Sequence, residues 1–181
     1  VASIHAVDVD ITKPRFWKKA ETARWLAHQN LWGSLATISV HLKGAPFSQP
    51  KSFVDGPEAN STGVIYFWDS DMDTSMQDIA ADQRVSFSLT AAAQNLCPVK
   101  VTDPESPVCA RAVFSGKYVK LTDPEEMEFA KNALYERHPT MPGWPHDFYA
   151  VSSFIHCTMA TCMITNHPLK YIPCTLPSPV D

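Results

Sequence analysis

The sequence predicts a mainly β protein with α additions, folded as a small antiparallel barrel of six to seven strands. Three observations carry this reading. Short runs of alternating or dense apolar residues recur between residues 31 and 164. Glycine and proline punctuate the gaps between them, and only two or three stretches show helical spacing instead. With 45% apolar and 19% charged residues, the 181-residue chain has enough core for one globular domain.

Residues 1–14 lack periodicity and read as an extended arm. From Phe16 the apolar positions Phe16, Ala20, Ala23 and Ala27 fall on one helical face opposite Lys18, Lys19 and Glu21, which predicts a helix ending near Asn30. Trp17 and Trp25 lie off that stripe and read as packing anchors. Residues 31–41 read as a first strand whose apolar face is Ala36, Ile38 and Val40. After the turn at Lys43-Gly44-Ala45-Pro46, a second strand runs over 47–54. Pro50 has no N–H to give a ladder, so that strand is expected to lie at an edge there or to be bulged. Residues 64–68 form a third strand.

A short helix follows to Asp82, capped by Asp73 or by a Thr74/Gln77 capping box, with Met76, Ile79 and Ala80 buried. Residues 84–90 are the fourth strand, with Val85, Phe87 and Leu89 on one face. The fifth, 110–121, contains Gly116, a signal for a bulge or a barrel corner. Thr122-Asp123-Pro124-Glu125-Glu126 is a helix start: a capping side chain, proline in the first turn, acids at the positive dipole end. This helix buries Met127, Ala130 and Leu134 and stops at His138-Pro139. Residues 148–164 supply the sixth strand and a seventh if they divide. Prolines 168, 173, 177 and 179 mark a C-terminal tail, giving the organisation 1–14 arm, 15–166 barrel domain and 167–181 tail.

Between the fourth and fifth strands lies a long connection with Cys97 and Cys109 at its ends and Pro98, Pro104 and Pro107 between them. Paired, the two thiols would close a loop of roughly 13 residues and stabilise the chain by about 3 kcal/mol in the chain-entropy picture. Such a loop is stiff, and it either forms a stapled surface excursion or covers a site. Cys157 and Cys162, five residues apart in an extended run, are too distant to pair with each other.

The net charge of −4 and the lack of a Lys/Arg run exclude non-specific nucleic-acid binding. No stretch is long and apolar enough for a spanning helix, so no membrane insertion is expected. Asn60-Ser61-Thr62 is an N-glycosylation sequon between Gly56-Pro57 and Gly63. With the cysteines and a chain beginning at Val1, it points to a secretory route. No nucleophile elbow, phosphate-binding glycine loop or dinucleotide fingerprint is found. Asp69, Asp71 and Asp73 read as helix-start acids. No metal site is expected, since Cys157-x₄-Cys162 with His146 and His156 falls outside the usual tight spacing. A flavin mononucleotide phosphate would find its donors in Lys51, Ser52 and Arg84, although their spacing matches no phosphate loop.

Several segments together resemble the CREG family, secreted glycoproteins named as cellular repressors of adenovirus-oncoprotein-stimulated genes. They are Leu31-Trp32-Gly33-Ser34-Leu35-Ala36-Thr37-Ile38-Ser39, Asp55-Gly56, residues 64–67, Cys97…Asp103-Pro104-Glu105-Ser106-Pro107-Val108-Cys109, Phe114-Ser115-Gly116 and Arg137-His138-Pro139…Trp144-Pro145. The resemblance covers residues 20–155 in order and implies a split β-barrel of the flavin-binding, pyridoxamine-phosphate-oxidase-like superfamily, assembled as a homodimer. It implies no catalytic residue and no bound cofactor, because in the family a loop enters the flavin position; the matching segment is Asp103, Pro104, Glu105 and Ser106. It further implies a secreted or endosomal–lysosomal protein that controls growth or differentiation through protein contacts, with a cell-surface or mannose-6-phosphate-type receptor as partner. Some vertebrate members carry a sequon after the fifth strand, where this chain has Lys120-Leu121-Thr122-Asp123, so Asn60 is the glycosylation site expected here. The alternative on the same barrel is an FMN-dependent oxidoreductase using Arg84, Lys51 and Ser52.

Overall fold

The computed structural model describes residues 14–15, 18–144 and 149–163. Its elements run α1 (Lys19–Gln29), β1 (Trp32–Ile38), β2 (Pro46–Val54), β3 (Tyr66–Ser70), α2 (Thr74–Ala81), β4 (Arg84–Thr90), β5 (Arg111–Lys120), α3 (Pro124–Arg137) and β6 (Tyr149–Met163). All strand pairs are antiparallel, in the order β1-β2-β3-β6-β5-β4, and β1 also pairs with β4 to close the barrel. Residues 149–163 form one long strand rather than two. β6 spans both β3 and β5, with a register shift opposite Gly116 between Ser115 and Lys117.

Aromatic packing fills the barrel. Phe53, Phe67, Phe87 and Tyr118 are almost fully buried. The Phe87 ring meets Phe53 and Phe67 edge-on at centroid distances of 4.9 and 5.2 Å, and Tyr118 lies 5.1 Å from Phe67. Edge-to-face pairs add about 0.5–1.5 kcal/mol each beyond the area they bury. Gly33 in β1 completes this core by having no side chain. A Cβ there would sit 2.5 Å from Leu89, 2.6 Å from Phe87 and 2.8 Å from the Ser88 carbonyl. Trp25 and Leu26 of α1 and Met76 and Ile79 of α2 join the same core. α3 forms a second core on the outer face of β2 and β3, where Ala130, Ala133 and Leu134 meet Val54, Tyr66 and Trp68.

The sequence places the strands well but assigns one face and several helix details wrongly. In β1 the inward residues are Leu35 and Thr37, followed by Ser39, while Ile38 and Val40 point out to solvent. Thr37 can be buried because its hydroxyl donates to Asp78 Oδ2 at 2.8 Å, and the same carboxylate accepts the Val40 N–H at 2.9 Å. Asp78 is therefore on the buried side of α2, and Ala80 is exposed. The N-cap of α2 is Asp73, accepting from Ser75 N, and the Thr74/Gln77 box does not form. α1 buries Thr22, Trp25, Leu26 and His28 as well as Ala23 and Ala27, a broader face than the alanine stripe suggested. Pro50 does not interrupt β2. It pairs with Ser34 of β1, and its other flank is unpaired because β2 meets β3 only at Phe53↔Phe67 and Val54↔Tyr66. β2 is an edge at Pro50, and this is the position where a missing N–H costs nothing.

Candidate functional site

Below Phe53 and Phe67 the strands β2 and β3 part, and the gap is a cleft of about 620 Å³. Pro50, Lys51 and Ser52 line one side, Trp68, Asp69 and Ser70 the other, with Met72, Asp73, Met141 and Trp144 around them. Alternation along each strand gives Lys51 the inward parity of Phe53 and Asp69 that of Phe67, so the barrel interior turns polar at this end. Lys51 Nζ donates to Asp69 Oδ1 at 2.9 Å and to Asp73 Oδ2 at 2.6 Å. Gln49 Nε2 donates to Asp73 Oδ1 and Ser75 Oγ, both at 2.6 Å. Asp69 is therefore a buried strand residue rather than a helix-start acid; of the three acids in this segment only Asp73 caps the helix.

The two carboxylates titrate apart. Burial pushes Asp69 up to about 6, against the pull of Lys51. Burial also raises Asp73, but hydrogen bonds from Lys51, the Ser75 N–H and Gln49, together with the Lys51 charge, outweigh it and hold this group below the usual carboxylate range. Lys51 is lowered by burial and raised further by Asp69 and Asp73, so it stays charged. The arrangement can store a proton on Asp69 in mild acid. It presents no free cation.

Arg84, the third phosphate donor proposed from sequence, is elsewhere. It lines a second cleft of about 590 Å³ with Thr37, Ile38, Ser86, Ser115 and Lys117, and the two linings share no residue. Its guanidinium is exposed and chelates Asp82, Nε to both carboxylate oxygens at 3.0 Å. The structure thus brings Lys51 and Ser52 together and leaves Arg84 apart. The residues of the first cleft do not fit a flavin phosphate, because its one ammonium is already matched by two carboxylates; in the second, the Arg84 guanidinium is taken by Asp82, and Lys117 is a further cation on the wall. Among the described residues no group of His, Cys, Asp and Glu is arranged to hold a metal. His146 lies outside the described residues.

Cys97 and Cys109 are joined, with Cα atoms 5.8 Å apart. Both are buried in the main core, so the connection is anchored at its two ends. Between them Asp103 and Glu105 are exposed and Pro104 and Ser106 half-buried; no residue of the loop lines either cleft. The turn is self-contained: Asp103 Oδ1 accepts the Glu105 N–H at 2.8 Å, and Ser106 O accepts the Cys109 N–H at 2.9 Å. Leu96, Val99, Val101 and Val108 are all exposed on this platform, Val101 at 82%.

A buried polar hub escaped the sequence reading. Asp55 is fully buried and accepts from His28 Nδ1 at 2.9 Å and from Ser61 Oγ. His28 Nε2 lies 3.0 Å from the Glu58 carbonyl. Both ring nitrogens face acceptors, so satisfying both requires the imidazolium. Consistent with that, the Asp55 hydrogen bond raises the His28 pKa, against burial. Arg137 Nη2 donates to the His28 carbonyl at 2.7 Å, and its Nη1 lies 3.8 Å from Asp55. The hub ties the end of α1, the sequon loop and the end of α3 into one unit. Gly56 permits the loop: its φ is +131°, and a Cβ there would sit 2.4 Å from the Asn60 carbonyl. Asn60 is half-buried, and the Thr62 hydroxyl donates to the Asp55 carbonyl at 2.7 Å. His28 in the last turn of α1, Asp55-Gly56 and Arg137-His138 were visible signals, but nothing local joined them.

Compared with known proteins, residues 14–168 match the family described as "CREG, beta-barrel". The chain belongs to the CREG family. It is 40% identical over 131 residues to mouse Protein CREG2, covering 71% of this chain and 45% of that protein. It is 37% identical to human Protein CREG1, covering 70% of this chain and 58% of the relative. The chain thus spans about half the length of these two CREG relatives. Among solved structures, a heme binding protein from Mycobacterium smegmatis superposes with a TM-score of 0.67 at 18% identity, over 90% of this chain and 59% of the other. A putative pyridoxamine 5'-phosphate oxidase from Listeria innocua gives 0.57 at 10% identity, over 81% of this chain and 98% of the other. These similarities establish the split-barrel architecture, and the family match carries the recognition beyond the 20–155 span of the sequence motifs. Among the described residues no helix is long and apolar enough to cross a membrane.

Proposed function

We propose that this CREG barrel is a non-enzymatic glycoprotein of the secretory or endosomal–lysosomal lumen, acting as a homodimer through protein contacts in growth or differentiation control. The observation that carries the reading is the stapled loop, which displays three exposed valines between its buried cysteines, with the exposed Leu96 just before it. The first cleft supports it from the other side, since its one ammonium is matched by two carboxylates. Occlusion of a flavin position by residues 103–106 belongs to this reading, although the loop lines neither cleft of its own chain. Asn60 is the glycan acceptor, and the receptor is a cell-surface or mannose-6-phosphate-type partner. Residues 1–14 and 167–181 serve as arm and tail to the domain at 15–166.

Light scattering tests the assembly. The expected mass is about 40 kDa, twice the 20.1 kDa chain before any glycan. Val99→Asp with Val101→Asp, which places charge on the exposed loop, is expected to shift the protein to monomer without unfolding it. A native chain that stays monomeric at high concentration contradicts the proposal.

A further inference from the structure

We propose that the β2–β3 cleft is closed to phosphate-bearing ligands by its own side chains, Asp69 and Asp73 acting as the residues that reject an anion. On this reading the β2–β3 cleft is barred to flavin mononucleotide by charge, independently of any loop that covers it. The inference rests on the reading of a flavin-free barrel and adds a second, internal cause to it.

A phosphate is held by free cationic donors, by the N–H groups of a helix N-terminus and by hydroxyls. In this cleft the one cation and the helix start are engaged, and the Ser52 and Ser70 hydroxyls on its walls are neutral and bring no charge to balance a phosphate. Lys51 is matched twice, by Asp69 and Asp73. At the start of α2, Asp73 Oδ1 occupies the Ser75 N–H at 2.8 Å, and the Asp73 carbonyl takes the Met76 N–H at 3.0 Å. The one remaining amide donor, Gln49, is bonded to Asp73 and Ser75. Two carboxylates stand against one ammonium. The Asp69 side chain is only 3% exposed and its Oδ2 has no hydrogen-bond partner, so the wall behind Lys51 holds an acceptor and offers an anion no donor. Acid does not reverse this. Protonating Asp69 near pH 6 leaves Asp73 ionised and still paired to Lys51, so no uncompensated positive charge appears.

The sequence carries this device in Asp69-Ser70-Asp71-Met72-Asp73, where the third strand hands over to the second helix. The remaining walls, Trp68, Trp144, Met72 and Met141, are compatible with a flat ring. The objection lies with the phosphate. That distinction makes the proposal testable with two ligands that share the isoalloxazine ring and differ in the phosphate, flavin mononucleotide and riboflavin.

Three proteins are compared by fluorescence titration: the native chain, a loop variant with Asp103, Pro104, Glu105 and Ser106 all changed to Gly, and that variant with Asp69→Asn and Asp73→Ser added. Serine keeps a cap on α2, and the isosteric amide keeps the volume at 69. Opening the loop alone is expected to leave flavin mononucleotide binding no tighter than riboflavin. Adding the two substitutions is expected to raise mononucleotide affinity by about tenfold or more while riboflavin moves by less than about twofold. The single Asp69→Asn change, run alongside, should shift the same ratio in the same direction and protects the test should the larger variant misfold. Preferential mononucleotide binding by the loop variant overturns the proposal, and so does an unchanged ratio after the Asp substitutions. Either result leaves intact the reading that the native chain holds no flavin; binding by the unaltered chain removes that reading as well.

Discussion

Replacing Asp55 with alanine is expected to destabilise the folded chain by about 3–5 kcal/mol, the cost of breaking a buried charge pair by removing one partner. The magnitude follows from what the substitution strands. His28 and Ser61 are buried and both lose the acceptor that satisfies them, and Arg137 loses the negative charge it approaches. Stranded buried donors cost far more than the net worth of the bonds they made. Chemical denaturation reads the loss directly. A change of less than about 1 kcal/mol would mean that the hub is not buried as described.

The same hub has a pH signature. The folded pKa of His28 is raised above the unfolded value of 6.5, chiefly by the Asp55 hydrogen bond. Its contribution is therefore fully present below the unfolded pKa and is lost as pH rises through the folded one. His138 works in the opposite sense: burial lowers its pKa, and its Nε2 bonds the Phe53 carbonyl at 3.0 Å. Comparing the native chain with His28→Asn cancels His138. The stability gap between the two is expected to be larger at about pH 5.5 than at about pH 8.5. A gap that widens with pH would contradict the assignment of His28 as an imidazolium.

Removing the staple with Cys97→Ser and Cys109→Ser is expected to cost about 3 kcal/mol by the loop-closure estimate. Two buried positions in the main core also become hydroxyls, which adds to the loss. Non-reducing peptide mapping of the native chain should recover the two cysteines in one linked pair, and two freely alkylated thiols would refute the bond. Hydrogen exchange should be faster over residues 98–108 in the variant while β4 and β5, tied by seven register pairs, stay protected.

Much of the barrel could be read from the chain because strand periodicity is local. Val85, Phe87 and Leu89 announce β4, and Gly116 announces the irregularity in β5. The error in β1 has a physical origin. Leu35, Thr37 and Ser39 form a less apolar set than Ala36, Ile38 and Val40, yet they are the buried ones, because Asp78 forty-one residues after Thr37 supplies its acceptor. Hydropathy cannot register a partner that distant. The candidate cleft was half legible for the same reason. Lys51 and Ser52 are neighbours, but only the divergence of β2 from β3 sets Lys51 against Asp69. An isolated lysine reads as a phosphate donor, and the same lysine between two carboxylates does not. Asp55, twenty-seven residues from His28, was not legible as a hub at all.

The central claim is that this CREG barrel does its work without flavin, and one measurement tests it most directly. The unaltered protein is incubated with excess flavin mononucleotide, dialysed and scanned for the flavin band at about 450 nm. The account predicts a colourless protein with no retained band. A yellow protein holding about one flavin per chain would contradict it.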